Sequence, residues 1–265
     1  MPRIRVRDIN MYYEVHGKGE PLVLISGFSV DHTVWLEVVQ RFKEFCQVIV
    51  FDNRGAGQSD IPVGPYSIEQ LSDDVAGLCA KLDIKHAHFV GSSMGGFILQ
   101  TLALSYPKLV KSATICNSSM TIHTCFHYFA DAQLELIKAN APRKAVIKAS
   151  CCWAFSYRFL SLPGVFDALI QWGLNDPHPF TITGYEGQYA ALENFDSSTW
   201  AQKIRVPTLV VGADQDLIFL ESSIKALAQQ IPNAQYHSFS ACGHVPFMEY
   251  PDDFVKVIRD FIGSN

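Results

Sequence analysis

Apolar residues fall along this chain in short dense blocks, and the rhythm between the blocks differs from the rhythm within them. "PLVLIS" (21–26), "QVIVFD" (47–52), "AHFVG" (87–91) and "VKSATICN" (110–117) are brief runs rich in Val, Ile and Leu. Such runs predict strands buried on both faces. Between them, apolar positions recur at helical spacing. Trp35, Val38 and Val39 mark one helix and a second runs from Ser67 to about Leu82. A third runs from Met94 to Tyr106, where Pro107 stops it. Within 3–16 apolar and polar side chains alternate, which predicts two antiparallel strands.

The alternation of strand and helix breaks between Ser118 and Asp196. That stretch is helical in places and crowded with aromatic residues, among them Phe126, Phe129, Trp153, Phe155 and Trp172. Pro142, "LPG" (162–164) and "DPHP" (176–179) punctuate it. The earlier pattern then resumes, with strands at "VPTLVVG" (206–212) and "AQYHSFS" (234–240) and helices over 220–231 and 252–262. The expected architecture is α/β: a mostly parallel eight-stranded sheet with helices on both faces. Residues 1–117 and 197–265 form this core, and 118–196 form a helical cap inserted over it.

Composition narrows the picture. Hydrophobic residues make up 48% of the 265 and charged residues 18%, which supports a large core and argues against extensive disorder. A net charge of -5 with scattered Lys and Arg argues against a nucleic-acid partner. No apolar run is long enough for a bilayer, so no membrane partner is expected. "MPRIRVRDINMYYEVHG" lacks the continuous apolar stretch of a signal peptide. The seven cysteines follow no framework spacing, so a cytoplasmic home with reduced thiols is expected. His123 and His127 stand four apart without a third ligand nearby, so no metal site is expected there. A small-molecule substrate is the expected partner, and the oligomeric state is left open.

Candidate chemistry enters at "HFVGSSMGGF" (88–97). Gly91-Ser92-Ser93-Met94-Gly95 fits G-x-S-x-G and lies between a predicted strand and a predicted helix, the context that motif requires. A sharp turn there lifts one side chain above the sheet, and bare flanking positions let strand and helix pass closely. Ser93 is therefore the candidate nucleophile. A serine hydroxyl needs a base. "SACGHVPFMEYPDDF" supplies His244 after the last strand, with Gly243 before it for a turn. "VVGADQDLIF" supplies a carboxylate to orient the imidazole: Asp216 is the expected acid and Asp214 the alternative. The developing oxyanion needs donors, expected from the backbone N–H of Met94 and of Phe28 in "SGFSVD" (26–31).

On these motifs the chain resembles the α/β-hydrolases of the large esterase-like group, over nearly its whole length. The order Ser93, Asp216, His244 is similar to that family's order. "FDNRGAGQSD" (51–60) resembles its D-x-R-G-x-G-x-S stretch, which implies that Asp52 and Arg54 hold a loop near the site. "GHVPFMEYPDDF" resembles its G-H-x-x-x-x-E-x-P-x-x-F ending. Two positions depart: Ser26-Gly27 stands where many relatives carry His-Gly, and Leu220 where many carry proline. The resemblance implies a serine hydrolase with no metal or organic cofactor, working through an acyl-enzyme at Ser93. The aromatic cap suggests a small, mostly apolar ester or lactone as substrate. "GSSMGG" is also similar to the elbows of carbon–carbon bond hydrolases and of 3-oxoadipate enol-lactonase-like enzymes of aromatic catabolism. For carboxylate-bearing substrates Arg158 is the candidate anchor. A slow-turnover ligand receptor acting through a protein partner is a further reading of the same triad.

Overall fold

The computed structural model describes residues 2–265. Eight strands form one sheet: β1 (Arg3–Val6), β2 (Ile9–His16), β3 (Glu20–Ile25), β4 (Cys46–Phe51), β5 (Ala87–Ser92), β6 (Val110–Cys116), β7 (Thr208–Ala213) and β8 (Gln235–Phe239). Their order across the sheet is β1-β2-β4-β3-β5-β6-β7-β8. β2 pairs antiparallel with β1 and with β4, and every other pair is parallel. The expected eight-stranded, mostly parallel sheet is what forms, because each parallel strand returns through a helix that covers one of its faces.

The helices, in chain order, are α1 (Leu36–Phe42), α2 (Ile68–Lys81), α3 (Met94–Ser105), α4 (Thr124–Lys138), α5 (Arg143–Ala154), α6 (Tyr157–Leu160), α7 (Val165–Leu174), α8 (Ile182–Glu193), α9 (Glu221–Gln230), α10 (Pro246–Glu249) and α11 (Pro251–Ile262). Strand side chains alternate between two cores. Leu22, Leu24, Val48, Val50 and Val90 pack with Trp35 just before α1, with Val38 and Phe42 of α1 and with Phe254 and Ile258 of α11. Their neighbours Val23, Ile25, Ile49, Phe51 and Phe89 pack with Leu71 and Val75 of α2, Phe97 of α3 and Ile224 of α9. This two-residue period explains the unbroken apolar runs: both faces are covered, so no position needs to be polar. Burying each such side chain contributes about 1.5–3 kcal/mol.

Local signals set the ends. Ser67 precedes α2 in extended backbone, and its hydroxyl accepts the Gln70 N–H at 3.1 Å, a cap worth about 1 kcal/mol. α3 is buried on nearly every side from Met94 to Ala103, which is why its sequence is apolar all round.

Helices α4–α8 lie between β6 and β7 and divide into two groups. Phe126 and Ala130 of α4 and Tyr185, Tyr189, Ala191 and Leu192 of α8 belong to the same apolar core as α2 and α3. The buried residues of α5 and α7, namely Val146, Cys151, Leu169 and Ile170, belong to neither sheet core. All seven cysteines are free thiols; Cys46, Cys79 and Cys116 are buried, and Cys125 and Cys152 are exposed. Among the described residues no helix is long and apolar enough to cross a membrane.

Candidate active site

β5 passes into α3 with a single residue between them, Ser93. Its backbone sits at φ 57 and ψ -119. Positive φ is strained for a residue with a Cβ, at a cost of order 1–3 kcal/mol. The surroundings hold it there: the Ser93 N–H donates to the Cys116 carbonyl at 2.9 Å, and the Ser93 carbonyl accepts the Gly96 N–H at 2.8 Å. Two glycines are demanded by contact. A Cβ on Gly91 would run into the Gly95 carbonyl oxygen, and one on Gly95 into the Ile25 carbonyl oxygen. Strand, elbow and helix therefore meet backbone to backbone. Ser93 is left half-buried at the wall of a cavity.

His244 and Asp216 arrive from the loops after β8 and β7. His244 Nδ1 lies 2.9 Å from Asp216 Oδ2, with both residues buried. A carboxylate accepts, so the Nδ1–H tautomer is fixed and Nε2 is left as the acceptor. His244 lines the same cavity as Ser93. The Ser93 hydroxyl has no hydrogen-bond partner among the described residues; in unliganded sites this contact commonly tightens only around substrate. Asp216 is itself fully engaged. Its Oδ1 accepts the Ile218 and Phe219 N–H groups at 2.8 and 2.9 Å, and its Oδ2 also accepts from Asn117 Nδ2 at 2.9 Å. The two expected carboxylates thus separate. Asp214 is exposed; it accepts from the Ser240 hydroxyl at 3.0 Å and the Cys242 N–H at 3.3 Å, tying β7 to the segment after β8.

The turn after β3 runs beside the elbow. A Cβ on Gly27 would lie 3.2 Å from Ser93 Cβ, a tight contact that shows how closely this turn passes the elbow. Among the described residues neither the Phe28 nor the Met94 N–H is engaged in a hydrogen bond, so both remain available as donors next to Ser93. Ser26, standing where many relatives carry histidine, locks this turn: its hydroxyl donates to the Asp31 carbonyl at 3.2 Å and accepts from Trp35 Nε1 at 3.0 Å.

Asp52 and Arg54 do different things. Asp52 Oδ1 accepts from the His32 N–H at 2.8 Å and meets His32 Nδ1 at 2.7 Å, and its Oδ2 accepts the Gln58 N–H at 2.8 Å. It therefore holds the turn after β3, as the resemblance implies. The Arg54 side chain points elsewhere. It pairs with Asp74 of α2 through Nε at 2.5 Å and with Asp8 at 2.9 Å. Its hydrogen bond holds the Asp8 carboxyl below the usual range. Asp31, His32 and Asp52 bring three potential ligand atoms within 4.8 Å of one another. The three side chains already hold the turn: Asp31 Oδ1 accepts the Thr33 N–H and hydroxyl, and Asp52 Oδ1 accepts from the His32 backbone N–H and lies 2.7 Å from His32 Nδ1. The cluster is better matched to holding the turn than to holding a metal.

The cavity has a volume of about 290 Å³. Its wall is mostly apolar, with Phe28, Phe126, Phe129, Ile147, Leu169 and Trp172 around Ser93 and His244. Arg158, the anchor suggested for carboxylate-bearing substrates, is not part of the wall; its guanidinium lies 4.4 Å from the Tyr250 ring centroid. Arg143 is the only Lys or Arg in the wall among the described residues. It donates to the Gly173 carbonyl at 2.6 Å and lies 3.9 Å from Asp176, so its charge is matched. Cys151 also reaches the wall, but burial pushes its thiol up to about 11, too high for a competing nucleophile at neutral pH.

Several supporting contacts were missed in the sequence. Asn117 reaches Asp216 from a left-handed backbone position at φ 46; an asparagine at a strand end is the signal that could have found it. Glu249 Oε1 accepts the Gly243 and Ser156 N–H groups at 3.0 and 2.8 Å, and the His244 N–H donates to the Ala154 carbonyl at 2.8 Å. These bonds tie the His244 loop to the end of α5. Gln188 of α8, which bonds the Ser29 N–H, gave no signal as one glutamine in a helix.

The family described as alpha/beta hydrolase fold matches residues 20–141 and 153–251. RutD of Azorhizobium caulinodans, which carries the provisional name of a carbamate hydrolase, is 27% identical over 266 residues, covering 100% of this chain and 99% of its own. The 3-oxoadipate enol-lactonase 2 of Acinetobacter baylyi is 27% identical over 259 residues, covering 97% of this chain and 94% of its own. The crystal structure of the enol-lactonase from Burkholderia xenovorans LB400 superposes with a TM-score of 0.89 at 26% identity, covering 99% of this chain and 100% of that one. The chain is an enzyme of the hydrolase class, and it belongs to the α/β-hydrolase fold family.

Proposed function

We propose that the enzyme hydrolyses a carboxylic ester or lactone of a small, uncharged, mostly apolar substrate through an acyl-enzyme at Ser93. The observation that carries this reading is the His244–Asp216 pair at 2.9 Å, opening on the same 290 Å³ cavity as the elbow serine. Ser93 Oγ attacks the carbonyl carbon while His244 Nε2 takes the hydroxyl proton. The carbonyl oxygen becomes an oxyanion facing the Phe28 and Met94 N–H groups. The tetrahedral intermediate collapses, the bond to the alcohol oxygen breaks, and His244 returns its proton to that oxygen. Water then attacks the acyl carbon, His244 takes its proton, and Ser93 leaves as the hydroxyl once His244 gives the proton back. Asp216 stays ionised and stabilises the imidazolium throughout.

The relatives' names favour a second reading, a lactone bearing a carboxylate, and a carbamate carbonyl could be attacked in the same way. The electrostatics favour the uncharged substrate. Arg143 already faces Asp176, and Asp31 adds a second acid to the wall, so a substrate carboxylate would find no unmatched cation. The test is a panel of short-chain aryl esters, neutral lactones, enol-lactones and carbamates, with Ser93→Ala alongside. Neutral esters or lactones should turn over fastest, and Ser93→Ala should lose about 10⁴-fold or more in kcat. Full activity in Ser93→Ala would refute the nucleophile; preference for the anionic lactone would refute the substrate class.

A further inference from the structure

Helix α8 is built against the turn after β3 in a way that helix propensity does not explain. It carries Gly184 and Gly187, each costing about 1 kcal/mol relative to alanine in a helix interior. Both glycines are contact positions. A Cβ on Gly184 would run into the Gly55 carbonyl oxygen, and one on Gly187 would come within 2.5 Å of the Tyr66 ring. The Gly187 carbonyl also accepts the Tyr66 N–H at 3.2 Å, a bond directed out of the helix. On the turn of the helix formed by Tyr185, Gln188 and Tyr189, the contacts are with the residues next to Ser93. The Phe28 ring lies 4.5 Å from that of Tyr185 and 6.2 Å from that of Tyr189.

Gln188 sits between these contacts, fully buried. Its Oε1 accepts the Ser29 N–H at 2.9 Å, and its Nε2 donates to the Arg54 carbonyl at 2.8 Å. One partner is a donor and the other an acceptor, so the amide orientation is determined by the chemistry. Ser29 is at φ 57, a left-handed position that a serine does not hold unaided. Without Gln188 its part-buried N–H would lose its protein partner. The Phe28 N–H belongs to the preceding peptide, separated from the Ser29 N–H only by the two backbone torsions of Phe28. Fixing the Ser29 N–H from one side and the Phe28 ring from the other therefore fixes where the Phe28 N–H points.

We propose that Gln188 is a positioning residue for the oxyanion site: it clamps the turn after β3 to the 52–60 loop so that the Phe28 N–H faces the oxygen developing at Ser93. This rests on the serine-hydrolase reading above. Preorganised donors act in the transition state more than in the bound substrate, so their displacement lowers kcat and leaves KM nearly unchanged.

The experiment compares wild type, Gln188→Met, which keeps length without hydrogen bonding, and Gln188→Asn, which is too short to bridge both partners. Steady-state kinetics use the best aryl ester, inactivation uses an aryl phosphonate that forms a tetrahedral adduct at Ser93, and thermal melting reports the folded fraction. Per folded molecule, kcat should fall about tenfold to a hundredfold with KM within about threefold, and the phosphonate rate should fall by the same factor. If Gln188→Met does not fold, Gln188→Asn carries the same expectation. An unchanged kcat, or a raised KM with unchanged kcat, overturns the proposal. Failure of both variants to fold also overturns it, because Gln188 would then be a determinant of folding. Ser93→Ala in the same series separates the cases: if it stays active the serine-hydrolase reading fails, and if it is dead while the Gln188 variants keep kcat, only this inference fails.

Discussion

Helix α8 and helices α5–α7 come from the same segment between β6 and β7, yet they are held to the molecule in different ways. α8 buries seven residues from Gly184 to Leu192 and shares the core of α2 and α3. α5 buries only Val146 and Cys151, and α6 none. Large apolar side chains stay open to solvent in this second group, with Tyr157 83% exposed and Trp172 47%. Its firm attachment is at one end, where Ala154 and Ser156 bond the His244 loop through its backbone and Glu249. The difference separates two tasks. The wall next to Ser93 is continuous with the core and keeps reacting groups in register. The wall made by α5 and α7 contributes apolar area to the cavity and meets the His244 loop at its Ala154–Ser156 end.

The largest effect that sharpens this contrast belongs to the fixed side. Asp216→Asn should lower kcat about 10³–10⁴-fold by weakening control of the imidazole tautomer, while Asp214→Asn should stay within about threefold. Comparable losses in both variants would dissolve the distinction between the two carboxylates. Next in size is a pair of glycines between β6 and β7. Gly184→Ala places a methyl against the Gly55 carbonyl and should cost about 3 kcal/mol or more in a denaturant melt. Gly164→Ala, at φ 78 with nothing within 4 Å, should cost only about 1 kcal/mol of backbone strain. Equal costs would break the comparison of the two groups.

A smaller effect is expected on substrate choice. Trp172→Ala removes half-exposed cavity wall and should raise KM for bulky aryl esters about threefold to tenfold, leaving kcat for the shortest esters within about twofold. A large loss of kcat for short esters would show that α7 is coupled to the reacting groups. The smallest effect is a pH slope at His32. Burial disfavours its imidazolium, but the Asp52 hydrogen bond and the charges of Asp52, Asp31 and Glu14 outweigh that and hold it above its ordinary value of 6.5. The folded protein therefore binds this proton more tightly than the unfolded chain does. The stabilisation is complete below about 6.5 and is lost as pH rises through the folded value. The stability gap between wild type and His32→Gln should shrink across that window; a gap that widens with pH would reverse the assignment.

Much of the site is legible in the sequence because its parts follow one repeated local rule. Ser93, Asp216 and His244 each stand in a turn directly after a strand, and such turns at the carboxyl edge of a parallel sheet converge on one place. Glycines at 91 and 95 mark the close passage of backbones before any coordinate is known. Other features are not legible. Although the sequence favours Asp216 over Asp214, it leaves both open, and the contact with His244 depends on which carboxylate the loop turns inward. Arg143 reaches the cavity instead of Arg158 because of how α5 packs against α7, which neither arginine's neighbours encode.

The sequence by itself determined the alternation of strands and helices, the parallel sheet and the residues that stand at its carboxyl edge, since these follow from side-chain periodicity, glycine freedom and capping within a few neighbouring residues. Only the tertiary structure decided that Gln188 meets Ser29 across 159 residues, that Asn117 supports Asp216 across 99, and that α4 and α8 share the core of α2 and α3. Those contacts depend on how already formed helices and loops pack, and packing is decided by the shape and partner requirements of the whole buried interior rather than by any stretch of chain.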